Sequence, residues 1–276
     1  MLKGSIVALV TPFTEQGEID FTVLDVLVDF HLENGSDGLV VAGTTGESAT
    51  LNRQEFAGLL RRIIERVAGR IPVLAGTGSA STRVAIEQTI IAAELGADGA
   101  LVVTPYYNKP TQAGLYAHFS AIADASDIPV VLYNVPSRTA VDMLPETVAR
   151  LATHAGIVGV KEAVRDTSRI ELLCQLCGPD FSILSGDDHS CLESIRHGAH
   201  GVVSVAANVV PKQMHELCMA ALQHDWGRAS QVNSRLKTLF DVLMIETNPI
   251  PVKWALFEMG LVGSKVRLPL TRLDEK

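Results

Sequence analysis

One lysine in this sequence stands where a nucleophile would. Lys161 directly follows the apolar run 157–160, and of the eight lysines it alone ends such a run. A lysine drawn into an apolar interior loses hydration, which favours the neutral amine. That neutral amine is what imine formation with a carbonyl substrate requires. The competing reading is a rim lysine or an ion pair with Glu162. Adjacent strand residues face opposite ways, so a Lys161–Glu162 pair is poorly placed. Position alone leaves both readings open. Tyrosine placement favours chemistry: of four tyrosines, Tyr106, Tyr107 and Tyr133 all end or follow short apolar runs. A phenol beside an amine can pass protons among amine, carbinolamine and imine. A barrel-rim anchor is the alternative for at least one of the adjacent pair. Thr44 and Thr45, in a glycine-flanked turn, offer hydroxyls and backbone N–H groups to a carboxylate, or form only a turn with a helix cap. Arg138, after Pro136-Ser137, has the fork to grip a carboxylate through two hydrogen bonds, or is a solvated loop arginine.

Metal chemistry finds little support. The run ends supply Glu47, Glu162, Asp187 and Asp188, with His189 the only histidine nearby. Metal-dependent aldol chemistry needs histidines and carboxylates converging from several run ends. Asp187 and Asp188 are expected to cap the helix that follows them. Cys174-x-x-Cys177 lacks a second pair and falls on a helical pattern, so ordinary helix positions are expected. No metal is expected.

The elements that must position these groups repeat along the chain. Short apolar runs occur at 6–10, 39–42, 73–75, 100–103, 130–132, 157–160, 181–184 and 202–205. Each is apolar on both faces, as a parallel strand covered by helices must be. Helical spacing fills 21–32, 54–67, 84–95, 115–123, 144–151 and 168–176. Asp20, Asn52 with Glu55, and Thr82 read as helix starts, and Gly96 and Gly198 as helix ends. Eight strands alternating with helices predict an α/β fold, the (β/α)8 TIM barrel, over residues 1–224. A doubly wound sheet is the alternative, but Gly76-Thr77-Gly78 has Ser81 where the phosphate-loop fingerprint needs glycine. Past about residue 210 only helical patterns remain. Residues 225–276 are expected as a C-terminal helical appendage packed on the barrel.

Composition narrows the class. Of 276 residues, 47% are hydrophobic, which excludes intrinsic disorder. A formal charge of −8 argues against nucleic-acid and anionic-membrane partners. No apolar run approaches a membrane span, and the N-terminal run is too short for a signal peptide. Four cysteines are too few for a disulfide framework. A cytoplasmic globular protein is expected.

Six segments stand in order with a recognisable pattern: Gly43-Thr44-Thr45-Gly46-Glu47-Ser48, Thr104-Pro105-Tyr106-Tyr107-Asn108, Tyr133-Asn134-Val135-Pro136-Ser137-Arg138-Thr139, Gly159-Val160-Lys161-Glu162, Leu184-Ser185-Gly186-Asp187-Asp188 and Asn248-Pro249-Ile250-Pro251-Val252-Lys253. From Gly4 to about Thr271 the chain resembles the dihydrodipicolinate synthase family of pyruvate-dependent Schiff-base aldolases. The resemblance implies a lyase that condenses pyruvate with L-aspartate 4-semialdehyde in lysine and diaminopimelate biosynthesis. Lys161 would carry the pyruvate imine, with no separate cofactor. Tyr133 would handle protons, relayed through Thr44 to Tyr107, and Tyr107 would reach in from a neighbouring subunit of a dimer or tetramer. Thr45 would hold the pyruvate carboxylate and Arg138 that of the semialdehyde, while Gly186 and the Val203 carbonyl would line the pocket. Rival readings are a pyruvate-dependent aldolase acting on another aldehyde, and a catalytically silent ligand-binding barrel. Two departures carry expectations. Ala80 and Val84 stand where lysine-inhibited relatives place polar and acidic groups, so lysine feedback should be weak or absent. Relatives also continue past Leu268-Pro269-Leu270-Thr271 into a last helix, which puts stability and tetramer assembly in question.

Overall fold

Eight short strands alternate with helices in the computed structural model, which describes residues 1–274. The last two residues of the expected 225–276 segment lie outside that range. The strands are β1 (Gly4–Ala8), β2 (Gly38–Val41), β3 (Val73–Gly76), β4 (Gly99–Val103), β5 (Val130–Asn134), β6 (Ile157–Glu162), β7 (Ser182–Ser185) and β8 (Gly201–Ser204). Each pairs in parallel with the next, and β1 pairs with β8. That closure excludes the doubly wound sheet and establishes the (β/α)8 barrel. The helices are α1 (Phe21–Glu33), α2 (Arg53–Val67), α3 (Thr82–Glu94), α4 (Gln112–Asp124), α5 (Pro136–Thr139), α6 (Pro145–Leu151), α7 (Ser168–Cys177), α8 (Cys191–Arg196), α9 (Pro211–Leu222), α10 (Trp226–Val242) and α11 (Ile250–Glu258).

Alternation along each strand builds two cores. Ile6, Ala8, Val40, Leu74, Leu101, Val131 and Leu184 fill the barrel interior. Val7, Leu39, Val41, Val130 and Leu132 face outward into a larger core shared with helices such as α1 and α2. Both faces are therefore apolar, which is why the strands read as continuous runs. α9 packs on β1, and α10 packs on α9.

Helix ends follow local chemistry. Asp20 accepts from the Val23 N–H at the start of α1. Asn52 and Glu55 form a reciprocal capping box at α2. Gly96 and Gly198 take the left-handed conformation just past α3 and α8. Thr82 departs from expectation: it lies inside α3, and its hydroxyl bonds His118 Nδ1 at 2.9 Å instead of capping. The first strand also ends two residues early. The Val10 N–H leaves the sheet ladder for the Asn208 side chain at 3.1 Å. Cys174 and Cys177 are free thiols on α7, and burial lifts the Cys177 thiol to about 11. Among the described residues no helix is long and apolar enough to cross a membrane.

Candidate active site

Strands β5 and β6 carry two of the candidate groups side by side. Their register sets Tyr133 opposite Lys161, and Asn134 opposite Glu162. The pleat sends the first pair into the barrel and the second pair out. Inside, Lys161 Nζ lies 4.2 Å from the Tyr133 ring centroid, and both side chains are buried. Gly186, just after β7, leaves the space they need: a Cβ there would stand 3.0 Å from Lys161 Cε. Lys161 and Tyr133 thus lie within their strands, beyond the limits that apolarity alone suggested.

Outside, the second pair is clamped. Asn134 Nδ2 donates to Asp142 at 2.8 Å and to Glu162 at 3.1 Å, and its carbonyl accepts from Met143 N–H. Arg169 Nε donates to Glu162 at 2.8 Å, while its other nitrogens reach Asp142. Burial pushes the Glu162 carboxyl above the usual carboxylate range, against the pull of Arg169 and the Val164 N–H. A satisfied polar network of this kind fixes strand register, and with it the Lys161–Tyr133 approach.

The turn after β2 forms the facing wall. Gly46 N–H and Ser48 N–H close on the Gly43 carbonyl, and Glu47 N–H closes on Thr44. Glu47 itself is left-handed, at φ 55°. Such a conformation costs free energy in a non-glycine residue and persists only where its surroundings enforce it. Here the enforcement is ionic: Lys253 Nζ donates to the buried Glu47 carboxylate at 2.6 Å and to the Thr11 carbonyl at 3.0 Å. The Arg267 N–H donates to the other Glu47 oxygen. Burial pulls the Lys253 ammonium below the usual lysine range, and Glu47 opposes that pull. Asn248 Nδ2 donates to the Thr45 hydroxyl at 2.9 Å, and the Asn248 carbonyl accepts from Arg138 at 3.2 Å.

These walls enclose a cavity of about 520 Å³ at the carboxyl ends of the strands, the position where barrels of this type place their chemistry. Thr44, Thr45, Tyr133, Arg138, Lys161 and Gly186 all line it. Two expected site residues do not. Val203 packs lower in the barrel interior with Ile6, Ala8 and Leu184. Tyr107 is 91% exposed on the β4–α4 loop, at φ 73°, and is not among the residues lining its own chain's cavity. Among the described residues no hydrogen bond joins the Thr44 hydroxyl to Tyr133 or Tyr107, so a single chain holds no complete relay. Asp187 does not cap α8 itself: Ser190 is the N-cap residue there, and Asp187 accepts from the Ser190 N–H in the turn that leads into the helix. Nor does Asp188: it accepts from Val205 and Ala206 N–H and caps the short turn after β8. The competing donors there are two backbone amides that the end of β8 leaves without ladder partners. Among the described residues no group of three or more metal-ligating side chains converges.

Sequence reasoning missed the C-terminal contribution. Phe240, Leu243, Met244 and Asn248 line the cavity, and Lys253 and Arg267 brace it. The segment Asn248–Lys253 stood among the motifs, but no pattern connects it with Glu47, 206 residues from Lys253.

Comparison with known proteins agrees over the full length. The model of the dihydrodipicolinate synthetase family matches residues 1–276. The 4-hydroxy-tetrahydrodipicolinate synthase of Nitrosococcus oceani is 53% identical over 276 residues, covering 100% of this chain and 94% of that one. A crystal structure of the chloride-inhibited dihydrodipicolinate synthase from Acinetobacter baumannii complexed with pyruvate superposes with a TM-score of 0.98 at 48% identity, covering 100% and 94%. A structure described as the first monomeric dihydrodipicolinate synthase variant is 45% identical, with a TM-score of 0.97, covering 99% and 92%.

Proposed function

The chain belongs to the dihydrodipicolinate synthetase family, and from that membership and its site we propose that it is a 4-hydroxy-tetrahydrodipicolinate synthase. It is a lyase of the class I aldolase type that condenses pyruvate with L-aspartate 4-semialdehyde. The observation that carries this reading is Lys161 Nζ, buried over the Tyr133 ring at 4.2 Å in the wall of a cavity that Thr44, Thr45, Arg138 and Gly186 also line.

The residues divide the work. Lys161 attacks the pyruvate keto carbon, and water leaves as the imine forms. Loss of a methyl proton gives the enamine, whose carbon attacks the semialdehyde. The amine of the second substrate then displaces Lys161 and closes the ring, with one water released overall. No other cofactor is invoked. Tyr133 moves protons at the carbinolamine oxygen, which leaves as water, and at the developing hydroxyl. Thr45 and the Thr44–Thr45 backbone hold the pyruvate carboxylate, and Arg138 holds the carboxylate of the semialdehyde. Tyr107 serves a neighbouring copy: its exposure, and its absence from the lining of its own chain's cavity, support a homo-oligomer in which the relay closes between chains. The four free thiols support a reducing, cytoplasmic setting. Lysine feedback is weak or absent, because Val84 and Ala80 offer no charge or amide to an ammonium group. A lysine titration showing tight, complete inhibition would contradict that point.

Purified protein mixed with pyruvate and aspartate semialdehyde should form product measurable through a coupled reductase, and Lys161→Ala should remove it. A folded protein inactive on this pair, yet active on pyruvate with another aldehyde, would overturn the substrate assignment.

A further inference from the structure

We propose that Asn248 is a positioning residue that sets the polarity of the Thr45 hydroxyl, leaving its proton free for the carboxylate of the bound oxo acid. The inference rests on the reading of Thr45 given above. A threonine hydroxyl has one proton to donate and two lone pairs that accept. Asn248 Nδ2 occupies a lone pair at 2.9 Å, and among the described residues the Thr45 O–H has no acceptor of its own. Thr45 is 2% exposed and lines the cavity, so an acceptor for that proton comes from the cavity side. An unpaired buried donor is costly, and a ligand that supplies an acceptor recovers that cost. A carboxylate accepts and cannot donate, which makes it the matching partner.

The amide's other end supports this orientation. Asn248 Oδ1 is buried without a partner. Reversing the amide would leave an NH2 group unpaired and consume the Thr45 proton, and an orphaned buried N–H is rarer in folded proteins than an under-satisfied carbonyl. Asn248 is also fixed from behind. Its carbonyl accepts from Arg138, and the Lys253–Glu47 pair holds the next helix against the Thr45 turn. One residue therefore ties together both groups assigned to carboxylates, Thr45 by its side chain and Arg138 by its backbone.

Asn248→Asp tests this at constant shape. An aspartate cannot donate, so the Thr45 proton turns toward it, and the added charge repels the substrate. The KM for pyruvate should rise by about tenfold or more while kcat and the KM for the semialdehyde change by about threefold or less. Asn248→Ala should raise the pyruvate KM by a smaller factor. In a Thr45→Val background the effect of Asn248→Asp should shrink to its charge component. Equal rises in both backgrounds, or an unchanged pyruvate KM in folded Asn248→Asp or Asn248→Ala, would overturn the proposal. Borohydride trapping of pyruvate on the unsubstituted enzyme separates the two levels: trapping without the Asn248 effect rejects only this inference, and no trapping rejects the underlying reading.

Discussion

Among the described residues two lysines are buried, and their surroundings differ in kind. Lys253 is 2% exposed and spends its ammonium on the Glu47 carboxylate and the Thr11 carbonyl, behind the cavity wall. Lys161 is 6% exposed and lines the cavity, with an aromatic face beneath it and no carboxylate in ion-pair contact among the described residues. Burial alone therefore does not make a nucleophile. What separates the two is whether the amine is already committed to a partner and whether a substrate can reach it. Lys253 is a brace, and Lys161 is the lysine we propose as the reactive group.

Substitution of each lysine should give opposite profiles. Lys161→Met should lower kcat by at least about a thousandfold yet leave the unfolding midpoint close to that of the parent, since no partner is orphaned. A large fall in thermal stability would show that Lys161 is structural. Lys253→Met should do the reverse, costing about 3–5 kcal/mol by stranding a buried Glu47 carboxylate. Adding Glu47→Gln should restore much of that loss in urea unfolding. If Lys253→Met alone is neutral, the brace is not ionic.

A second contrast runs between the β5–β6 wall and the β4–α4 loop. The wall is complete in one chain, locked from outside by Asn134, Glu162 and Arg169. The loop is not: its Tyr107 is exposed and does not line its own chain's cavity. Tyr107→Phe should therefore lower kcat by about 10–100-fold while leaving pyruvate trapping intact. Mixing Tyr107→Phe chains with Lys161→Ala chains under subunit exchange should restore activity in hybrid sites. Failure of complementation would place Tyr107 in its own chain's reaction or outside the reaction altogether.

The most gradual effect, spread over pH units, comes from buried bases with no ionic partner. Burial holds His31 and His118 near pKa 4, and the Nε2 atom of each lacks a hydrogen-bond partner. A depressed folded value means that the unfolded chain binds the proton first as pH falls. Their stabilising contribution is therefore full above about 6.5 and is lost as pH drops through 4, by up to about 1.4 kcal/mol per pH unit for each. Thermal unfolding from pH 7 to 4.5 should show this slope, and His31→Gln should flatten it. An unchanged slope would mean that His31 accepts a proton without unfolding.

Much of this was legible in sequence, and the exceptions share a cause. Lys161, Tyr133 and Thr45 were readable because strand periodicity and turn chemistry are local, and a barrel puts strand ends in one place. Asp20 and Asn52 announced their helices through contacts three residues long. Asp188, Thr82 and Val10 departed because each took a partner from a distant element: the β8 turn, His118 and Asn208. Asn248 and Lys253 stood in a noted motif, yet their roles depend on Thr45 and Glu47 across more than 200 residues. Pairings of that range leave no periodic trace.

The most direct test is to incubate the protein with pyruvate, reduce with borohydride, and locate the adduct by peptide mass spectrometry. Modification at Lys161 alone, at one reduced pyruvate per chain, is the predicted result. An adduct on Lys253, or none on a folded protein, would contradict the claim that the uncommitted buried lysine is the nucleophile.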